Sequence, residues 1–294
     1  MKNKIVMVGL GVMGMPMAQN ILKSGLDLSC CDVNWASLKS LEGLVPSLST
    51  VPEKVAKNRN VVITMLPTSD IVEEVIFGDQ GLIGSLDPNS LIIDMSTASY
   101  NKSMEISARL RDLGHRFVDA PVGRTPREAK TGDLLVMAGG DVDDIEQANE
   151  IFEAIGNTTI HAGPIGSGLK SKLVNNYMAM VNNAVTGETL SFANQVGLDI
   201  KATAKLMSST AAGLGQLNTN YPKKVLANDL TPDFPISMAI KDLNMALELA
   251  GSFNSKCLFG ELAKRMFQEA EVDGMGHLDQ TAILKHLLGD KSKL

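Results

Sequence analysis

A glycine-rich turn near the start of the chain constrains the fold more than any other feature of the sequence. Gly9, Gly11 and Gly14 form a GxGxxG pattern that directly follows the apolar run KIVMV and precedes an amphipathic stretch. Pro16 suits the first turn of a helix, where a backbone N–H would have no partner. The pattern predicts a buried strand, a tight turn and a helix, which together begin a parallel sheet.

Short apolar runs and helical patterns alternate from Lys4 to about Ala162. The apolar runs are KIVMV, LSCCD, NVVITML and LIIDMS, and an amphipathic stretch follows each of them. Continuous apolar strands that alternate with amphipathic helices indicate a parallel sheet covered on both faces, and right-handed crossovers make it doubly wound. We therefore predict an α/β fold with a Rossmann-type parallel sheet in this half.

The pattern becomes helical after His161. Apolar residues recur at helical spacing over 168–197, so we expect an all-α C-terminal domain. Further helices are expected over 200–208, 222–226, 237–251, 258–271 and 279–287. The segment HAGPIGSG at 161–168 is rich in turn residues and predicts the boundary between a Rossmann domain at 1–163 and a helical substrate and oligomerisation domain at 164–294. A helix of about 45 Å is longer than a small domain's core, which predicts a homodimer or homotetramer.

The glycine turn predicts a dinucleotide site. Its glycines allow a tight turn, a close approach of backbone to a pyrophosphate and close helix packing. Asp32 ends the second predicted strand, 18 residues after Gly14, where a carboxylate accepts hydrogen bonds from ribose hydroxyls and repels a 2′-phosphate. These features favour NAD over NADP. Two alternatives stay open: Asp32 caps the next helix, a role that Asn34 could also fill, or the turn is merely structural.

Composition excludes several classes of protein. The chain of 294 residues has 27 Lys and Arg against 33 Asp and Glu, a net charge of −6 that offers no general attraction to nucleic acid or anionic membranes. Three cysteines and four scattered histidines predict neither a disulfide framework nor a metal site. No signal peptide and no apolar stretch of about 18 residues is evident, so we expect a cytoplasmic protein.

A second polar cluster is predicted on the long helix. Lys172, Asn175 and Asn176 are spaced three and four residues apart, so they share one helix face, and apolar residues surround them in the sequence. Three buried polar groups would need partners or a substrate. The alternative is that these are ordinary solvated positions.

With these features the chain resembles the β-hydroxyacid dehydrogenases, the family that includes 3-hydroxyisobutyrate dehydrogenase, over nearly its whole length. The segments that carry the resemblance are GLGVMGMPMAQNILKSG at 9–25, ITMLP at 63–67, IDMST at 93–97, DAPVG at 119–123, TGDLLVMAGG at 131–140, GSGLKSKLVNN at 166–176 and KDL at 241–243.

The resemblance implies roles for individual residues. Lys172 would be the catalytic lysine, and Asn175 and Asn176 would bind the substrate. Beside the motif glycines Gly9, Gly11 and Gly14, it implies cofactor contacts from Val12, Met13, Asp32, Leu66, Thr97 and Lys241. A lysine ammonium fits this chemistry, because it can stabilise the negative charge that grows on a carbonyl oxygen during reduction by NADH and donate the proton.

One departure from the family pattern concerns the substrate. Most members have a Ser-Gly-Gly after the proline–valine pair, whereas this chain has Gly123, Arg124 and Thr125. We predict that these three residues bind the substrate and that the Arg124 guanidinium suits a bulky oxyanion such as a sulfonate. Arg124 could instead make a surface ion pair, since Arg127 and Glu128 lie nearby.

The expected function is therefore NADH-dependent reduction of a small anionic aldehyde. Together with Arg124, the resemblance implies that 3-sulfolactaldehyde is reduced to 2,3-dihydroxypropane-1-sulfonate. The alternatives are tartronate semialdehyde (2-hydroxy-3-oxopropionate) reduction and 3-hydroxyisobutyrate or 4-hydroxybutyrate oxidation. A non-catalytic NAD-binding protein is the alternative of another class, but it would have no need of Lys172 and the paired amides.

Overall fold

The structure of the chain is a computed structural model that describes residues 3–289. Two compact units are present, the first ending at Tyr177 and the second beginning at Met178. The strands are β1 (Lys4–Val8), β2 (Asp27–Cys31), β3 (Leu48–Ser49), β4 (Val61–Thr64), β5 (Leu91–Asp94), β6 (Arg116–Asp119), β7 (Val122–Gly123), β8 (Leu134–Gly139) and β9 (Gly156–Gly163).

Thirteen α-helices occur among the described residues. They are α1 (Gly14–Lys23), α2 (Trp35–Lys39), α3 (Glu53–Ala56), α4 (Ser69–Phe77), α5 (Tyr100–Asp112), α6 (Pro126–Thr131), α7 (Val142–Ile155), α8 (Ser167–Gln195), α9 (Ile200–Met207), α10 (Ala211–Leu214), α11 (Ile236–Ser252), α12 (Leu258–Ala270) and α13 (Ile283–Leu288). The predicted domain boundary at 163/164 falls between β9 and α8 and stays a prediction. The two compact units divide later, within α8.

The first unit is built on one nine-stranded sheet. Its strand order is β3-β2-β1-β4-β5-β6-β8-β7, and β9 pairs with β8. The pairs from β3 to β6 and the β8–β9 pair are parallel, while β8 is antiparallel to both β6 and β7. The predicted Rossmann-type α/β class is confirmed, with an antiparallel excursion through β7 and β8 that the strand pattern did not indicate.

Both faces of the sheet are covered by helices, as continuous apolar strands require. Alternate residues of β1 face opposite sides: Ile5 and Met7 pack in one core, and Val6 and Val8 in the other. The first core includes side chains of α1 and α7, and the second includes side chains of α4 and α5. Two buried layers therefore hold the strands rigidly in place.

The carboxyl ends of the central strands form one row. Val8 pairs with Thr64, Thr64 with Asp94, and Asp94 with Asp119 across β1, β4, β5 and β6. The loops that follow these four strands consequently leave the sheet at the same edge. In open α/β sheets ligands bind at this edge, so the row places the functional loops.

The second unit is helical, which confirms the predicted all-α C-terminal half. Its buried apolar cluster is small and centres on Ile236, Ile240, Ala270 and Ala282, whereas α9 buries none of its residues. No helix among residues 3–289 has both the length and the apolar character that crossing a membrane requires.

Candidate cofactor and active site

The glycine turn after β1 leaves no space for side chains at two positions. Gly9 has a φ of 96°, and a Cβ there would lie 2.3 Å from the Met65 carbonyl oxygen. A Cβ on Gly14 would lie 1.9 Å from the carbonyl oxygen of Gly9. Both positions require glycine because the turn packs against the loop after β4 and against itself.

Gly11 differs, because a Cβ there would meet no protein atom within 4 Å. Packing does not explain this glycine, but close approach of a ligand to the backbone does. Helix α1 also begins without a side-chain cap, since its N-cap residue is Met13. Pro16 has no N–H and the Met15 N–H donates to the Gly11 carbonyl oxygen at 3.0 Å, whereas the N–H groups of Val12, Met13 and Gly14 have no acceptor among residues 3–289. These three N–H groups suit an anion, and the turn fits a dinucleotide pyrophosphate.

Asp32 lies at the carboxyl end of β2, beside the glycine turn. Its Oδ2 accepts a hydrogen bond from the Leu10 N–H at 2.6 Å, and its Oδ1 accepts one from the Asn34 N–H at 2.8 Å. Capping of α2 belongs to Asn34, whose side chain accepts from the Ala36 N–H at 3.0 Å. Each Asp32 oxygen retains capacity for a second donor, as a ribose hydroxyl would be.

A cavity of about 580 Å³ lies over the turn, and seven of the predicted cofactor residues line it. These are Gly9, Gly11, Val12, Met13, Gly14, Asp32 and Leu66. Thr97 lines a second cavity, of about 480 Å³, and Pro67 belongs to both cavities. Lys241 lies in the second unit, on α11, where its side chain is exposed.

A buried polar chain that sequence reasoning missed shapes this cavity. The Thr64 hydroxyl donates to Asp94 Oδ1 at 2.9 Å, and that oxygen also accepts from the Ser96 N–H at 3.0 Å. The Ser96 hydroxyl in turn accepts from the Leu66 N–H at 3.0 Å. Burial raises the pKa of Asp94. The IDMST motif therefore fixes the loop that carries Leu66. The sequence signal for this contact is the carboxylate of Asp94 at the end of an otherwise apolar strand.

Lys172 lies in the second turn of α8, within the first unit. Its side chain is half-buried, and burial lowers the pKa of its ammonium. Within residues 3–289 this ammonium has no hydrogen-bond or ion-pair partner, whereas neighbouring Lys170 stacks over the Tyr100 ring at 4.8 Å. Asn175 is exposed and donates from Nδ2 to Asn176 Oδ1 at 3.3 Å. An unpaired, partly desolvated ammonium is well suited to proton donation.

The predicted substrate residues at 123–125 follow β7. Gly123 ends this strand, and Thr125 caps α6 in a reciprocal capping box with Glu128. Arg124 has a φ of 75°, a left-handed conformation that glycine favours. Its Nη1 donates to Asn157 Oδ1 at 2.7 Å and to the Asp133 carbonyl oxygen. The guanidinium thus already has protein partners at the amino ends of β8 and β9.

No group of three or more His, Cys, Asp or Glu side chains among the described residues is arranged to hold a metal ion.

Comparisons with known proteins agree with this geometry. The sequence model for the NAD binding domain of 6-phosphogluconate dehydrogenase matches residues 4–163. The model described as NAD-binding of NADP-dependent 3-hydroxyisobutyrate dehydrogenase matches residues 166–287. The chain belongs to the β-hydroxyacid dehydrogenase family, of the 3-hydroxyisobutyrate dehydrogenase type.

Individual members of the family are similar over their whole length. The 3-sulfolactaldehyde reductase of Escherichia coli K12 is 38% identical, with 96% of this chain and 95% of that protein aligned. An NAD-dependent L-serine dehydrogenase of Pseudomonas aeruginosa is 32% identical over 96% and 97% of the two chains. The structure of Mycobacterium tuberculosis 3-hydroxyisobutyrate dehydrogenase with L-serine is 26% identical and superposes with a TM-score of 0.66, covering 98% and 100% of the chains.

Family membership settles the general chemistry. The protein is an NAD-dependent oxidoreductase that acts on CH–OH groups. The glycine turn, the open Gly11 backbone and the Asp32 carboxylate are the features of this chain that fit NAD.

Proposed function

We propose that this dehydrogenase reduces a small anionic aldehyde, 3-sulfolactaldehyde, to 2,3-dihydroxypropane-1-sulfonate, with Lys172 as the general acid. The observation that carries the proposal is the state of Lys172: a half-buried ammonium without a partner in the described part of the chain, on a helix that also presents Asn175 and Asn176. The likeness to 3-sulfolactaldehyde reductase of E. coli supports the choice of substrate.

The residues divide the chemistry as follows. Bound NADH supplies the hydride that adds to the aldehyde carbon. The Lys172 ammonium donates a hydrogen bond to the carbonyl oxygen, stabilises the negative charge that develops there and transfers a proton to it, which leaves a neutral amine. The side-chain amides of Asn175 and Asn176 hydrogen-bond the substrate and orient it. In the reverse direction the neutral amine accepts the alcohol proton.

Arg124 is the residue that we assign to the sulfonate. A left-handed backbone costs a residue with a side chain about 1–2 kcal/mol relative to glycine, and the family has glycine here. An arginine kept at a strained position suggests a function for its side chain. Three sulfonate oxygens match the fork of guanidinium donors. Because Nη1 bonds Asn157 in this structure, the anion must use the other donors or displace that contact.

Those same contacts favour one rival interpretation of Arg124. Its bonds to Asn157 and to the Asp133 carbonyl tie the turn before α6 to the amino ends of β8 and β9. In that case the arginine is structural, and the preferred substrate is a carboxylate such as tartronate semialdehyde. A non-catalytic NAD-binding protein is the rival of another class, and the unpaired Lys172 argues against it.

The experiment that tests the proposal measures NADH oxidation at 340 nm with 3-sulfolactaldehyde, tartronate semialdehyde and an uncharged aldehyde. Lys172→Ala should lower kcat at least about 100-fold while NADH still binds, since general acid catalysis contributes 10²–10⁴. Lys170→Ala is the matched control on the same helix and should keep its activity. A Lys172→Ala protein with wild-type turnover excludes this lysine as the acid. A preference for tartronate semialdehyde overturns the sulfonate assignment alone.

We further propose that the protein works as a homodimer or homotetramer assembled through α8 and the second unit. Val174, Tyr177 and Met180 recur every three residues on α8 and are 71%, 73% and 65% exposed. The second unit also buries few large apolar side chains of its own. A domain of this size needs more buried apolar surface, and a second copy of the chain would supply it.

Light scattering tests the assembly. The wild type should have at least twice the chain mass of 31.4 kDa at micromolar concentration, and Met180→Glu should weaken or abolish the assembly. Lys23→Glu, an exposed change on α1, is the control and should leave the mass unchanged. A monomeric wild-type protein would contradict the proposal.

A further inference from the structure

A buried carboxylate holds the start of the lysine-bearing helix. Asp119 ends β6, and its side chain has no exposed surface. Its Oδ1 accepts a hydrogen bond from the Gly166 N–H at 2.6 Å, and its Oδ2 accepts one from the Leu169 N–H at 2.7 Å. The two donors lie 47 and 50 residues further along the chain, so these bonds join the sheet to α8.

The N–H groups in the first turn of a helix have no intrahelical acceptor. In α8 the Ser167 N–H donates to the Pro164 carbonyl oxygen at 2.9 Å. Asp119 accepts hydrogen bonds from the backbone N–H groups of Gly166 and Leu169. A negative charge at a helix N-terminus is also favoured by the helix dipole. The Asp119 carboxylate therefore caps the N-terminus of α8 from strand β6, in place of a residue next to the helix in the sequence.

Two glycines make room for this contact. A Cβ on Gly139 would lie 2.7 Å from Asp119 Oδ1. A Cβ on Gly168 would lie 2.2 Å from the Met137 carbonyl oxygen and 2.9 Å from Asp119 Oδ2. The first turn of α8 thus packs directly against β6 and β8, and a side chain at either glycine would push it away.

Lys172 lies three residues beyond Leu169, so it is one helical turn from the second Asp119 contact. Each residue of an α-helix adds 1.5 Å of rise and about 100° of rotation. A small slip or roll of the first turn would therefore displace the Lys172 ammonium from the carbonyl oxygen. A misplacement of about 1 Å can lower a reaction rate 100-fold.

We propose that Asp119 is a positioning residue for catalysis: it fixes the first turn of α8 and thereby sets where Lys172 meets the substrate. The proposal rests on the assignment of Lys172 as the acid. Burial, together with the charge of neighbouring Asp94, raises the pKa of Asp119 to about 6, so the group is mostly ionised at neutral pH although burial disfavours its charge. A merely space-filling residue would not need that charge.

The experiment compares Asp119→Asn with Asp94→Asn. Asp94 is an equally buried carboxylate on the adjacent strand, but its contacts are Thr64 and Ser96 and not α8. Asparagine keeps the size of Asp119 but presents one acceptor oxygen and an NH₂ group that opposes the second N–H donor. Kinetics with NADH and with 4-deuterated NADH report KM, kcat and the isotope effect on hydride transfer.

We expect Asp119→Asn to lower kcat 10- to 100-fold, leave KM for NADH within about threefold and raise the deuterium isotope effect, because hydride transfer becomes rate-limiting. Asp94→Asn should act mainly on KM for NADH through Ser96 and Leu66. Gly168→Ala pushes the first turn of α8 away from Asp119 and should lower kcat in the same way. This variant replaces Asp119→Asn in the test if Asp119→Asn does not fold.

Equal losses of kcat in the Asp119 and Asp94 variants, or a normal isotope effect in Asp119→Asn and Gly168→Ala, would show that Asp119 only stabilises the fold. Lys172→Ala is measured alongside. If it retains activity, the assignment of the acid is wrong whatever Asp119 does. If Lys172→Ala is inactive and Asp119→Asn has the kcat and isotope effect of the wild type, only the positioning role of Asp119 is overturned.

Discussion

Asp32 Oδ2 accepts a hydrogen bond from the backbone N–H of Leu10 at 2.6 Å, which joins the end of β2 to the glycine turn after β1. The contact sets the distance between the two features that a dinucleotide needs: N–H groups for the pyrophosphate and a carboxylate for the adenosine ribose. In the binding mode that we propose, the negative charge of Asp32 also faces the position of a 2′-phosphate.

Asp32→Ala should narrow the preference for NADH over NADPH. We propose that the wild-type carboxylate repels the extra phosphate and accepts from the ribose hydroxyls, so its removal should weaken NADH binding and relieve the repulsion of NADPH. Steady-state kinetics with both cofactors measure the ratio of kcat/KM values. A wild-type enzyme that prefers NADPH would show that Asp32 does not contact the ribose.

Local sequence pattern predicted residues that the structure places close together. Gly9, Gly14 and Asp32 form a motif whose spacing follows from one strand, one turn and one helix, and the structure places them around one cavity. Helical spacing placed Lys172 on a polar helix face, the family resemblance implied its catalytic role, and the residue lies on the predicted helix. Such features depend on residues that are close in the sequence.

Features that depend on distant contacts were not predicted. Asp119 was noted only as part of a motif, because its partners Gly166 and Leu169 come from another element. A helix was expected over 222–226, but this segment forms turns and a short 3₁₀ helix at Val225–Ala227. There the buried Lys224 ammonium bonds the Thr231 carbonyl oxygen at 3.0 Å and pairs with Asp233, and helix propensity does not reveal such contacts.

The pH dependence of turnover should report the ionisation of Lys172. Burial lowers the pKa of this ammonium below its ordinary value of 10.5. Aldehyde reduction uses the protonated form, so its kcat should fall as pH rises through the lowered pKa. Alcohol oxidation uses the neutral amine and should accelerate over the same range. In Lys172→Arg the guanidinium stays protonated, so the basic limb should disappear. If kcat of Lys172→Arg still falls at high pH as in the wild type, the fall reports the ionisation of another group.

Arg124→Gly should separate substrate recognition from stability. Glycine adopts the φ of 75° without strain, whereas alanine would not, so glycine is the cleaner truncation. Loss of a charged hydrogen bond worth about 1.5–3 kcal/mol should lower kcat/KM for 3-sulfolactaldehyde roughly 10- to 150-fold. The kcat/KM for an uncharged aldehyde should change little. Arg127→Ala, an exposed arginine on α6, is the control. An equal loss on both substrates would make Arg124 a structural residue.

Asp119→Asn should change how stability depends on pH. Burial raises the pKa of Asp119 from about 3.8 to about 6, so the folded protein holds this proton more tightly than the unfolded chain does. The resulting stabilisation is fully present below pH 3.8 and is lost as pH rises through 6, and it amounts to about 3 kcal/mol at 1.36 kcal/mol per tenfold change in proton affinity. Asparagine has no proton to lose. The stability of wild type minus that of Asp119→Asn should therefore fall by about 2 kcal/mol between pH 4 and 7 in urea denaturation, because part of the total is already lost at pH 4. Glu150→Gln, an exposed change on α7, should follow the wild type across this range. Parallel curves for wild type and Asp119→Asn would mean that the buried carboxylate has its ordinary pKa. Burial would then not disfavour the ionised form of Asp119 at neutral pH.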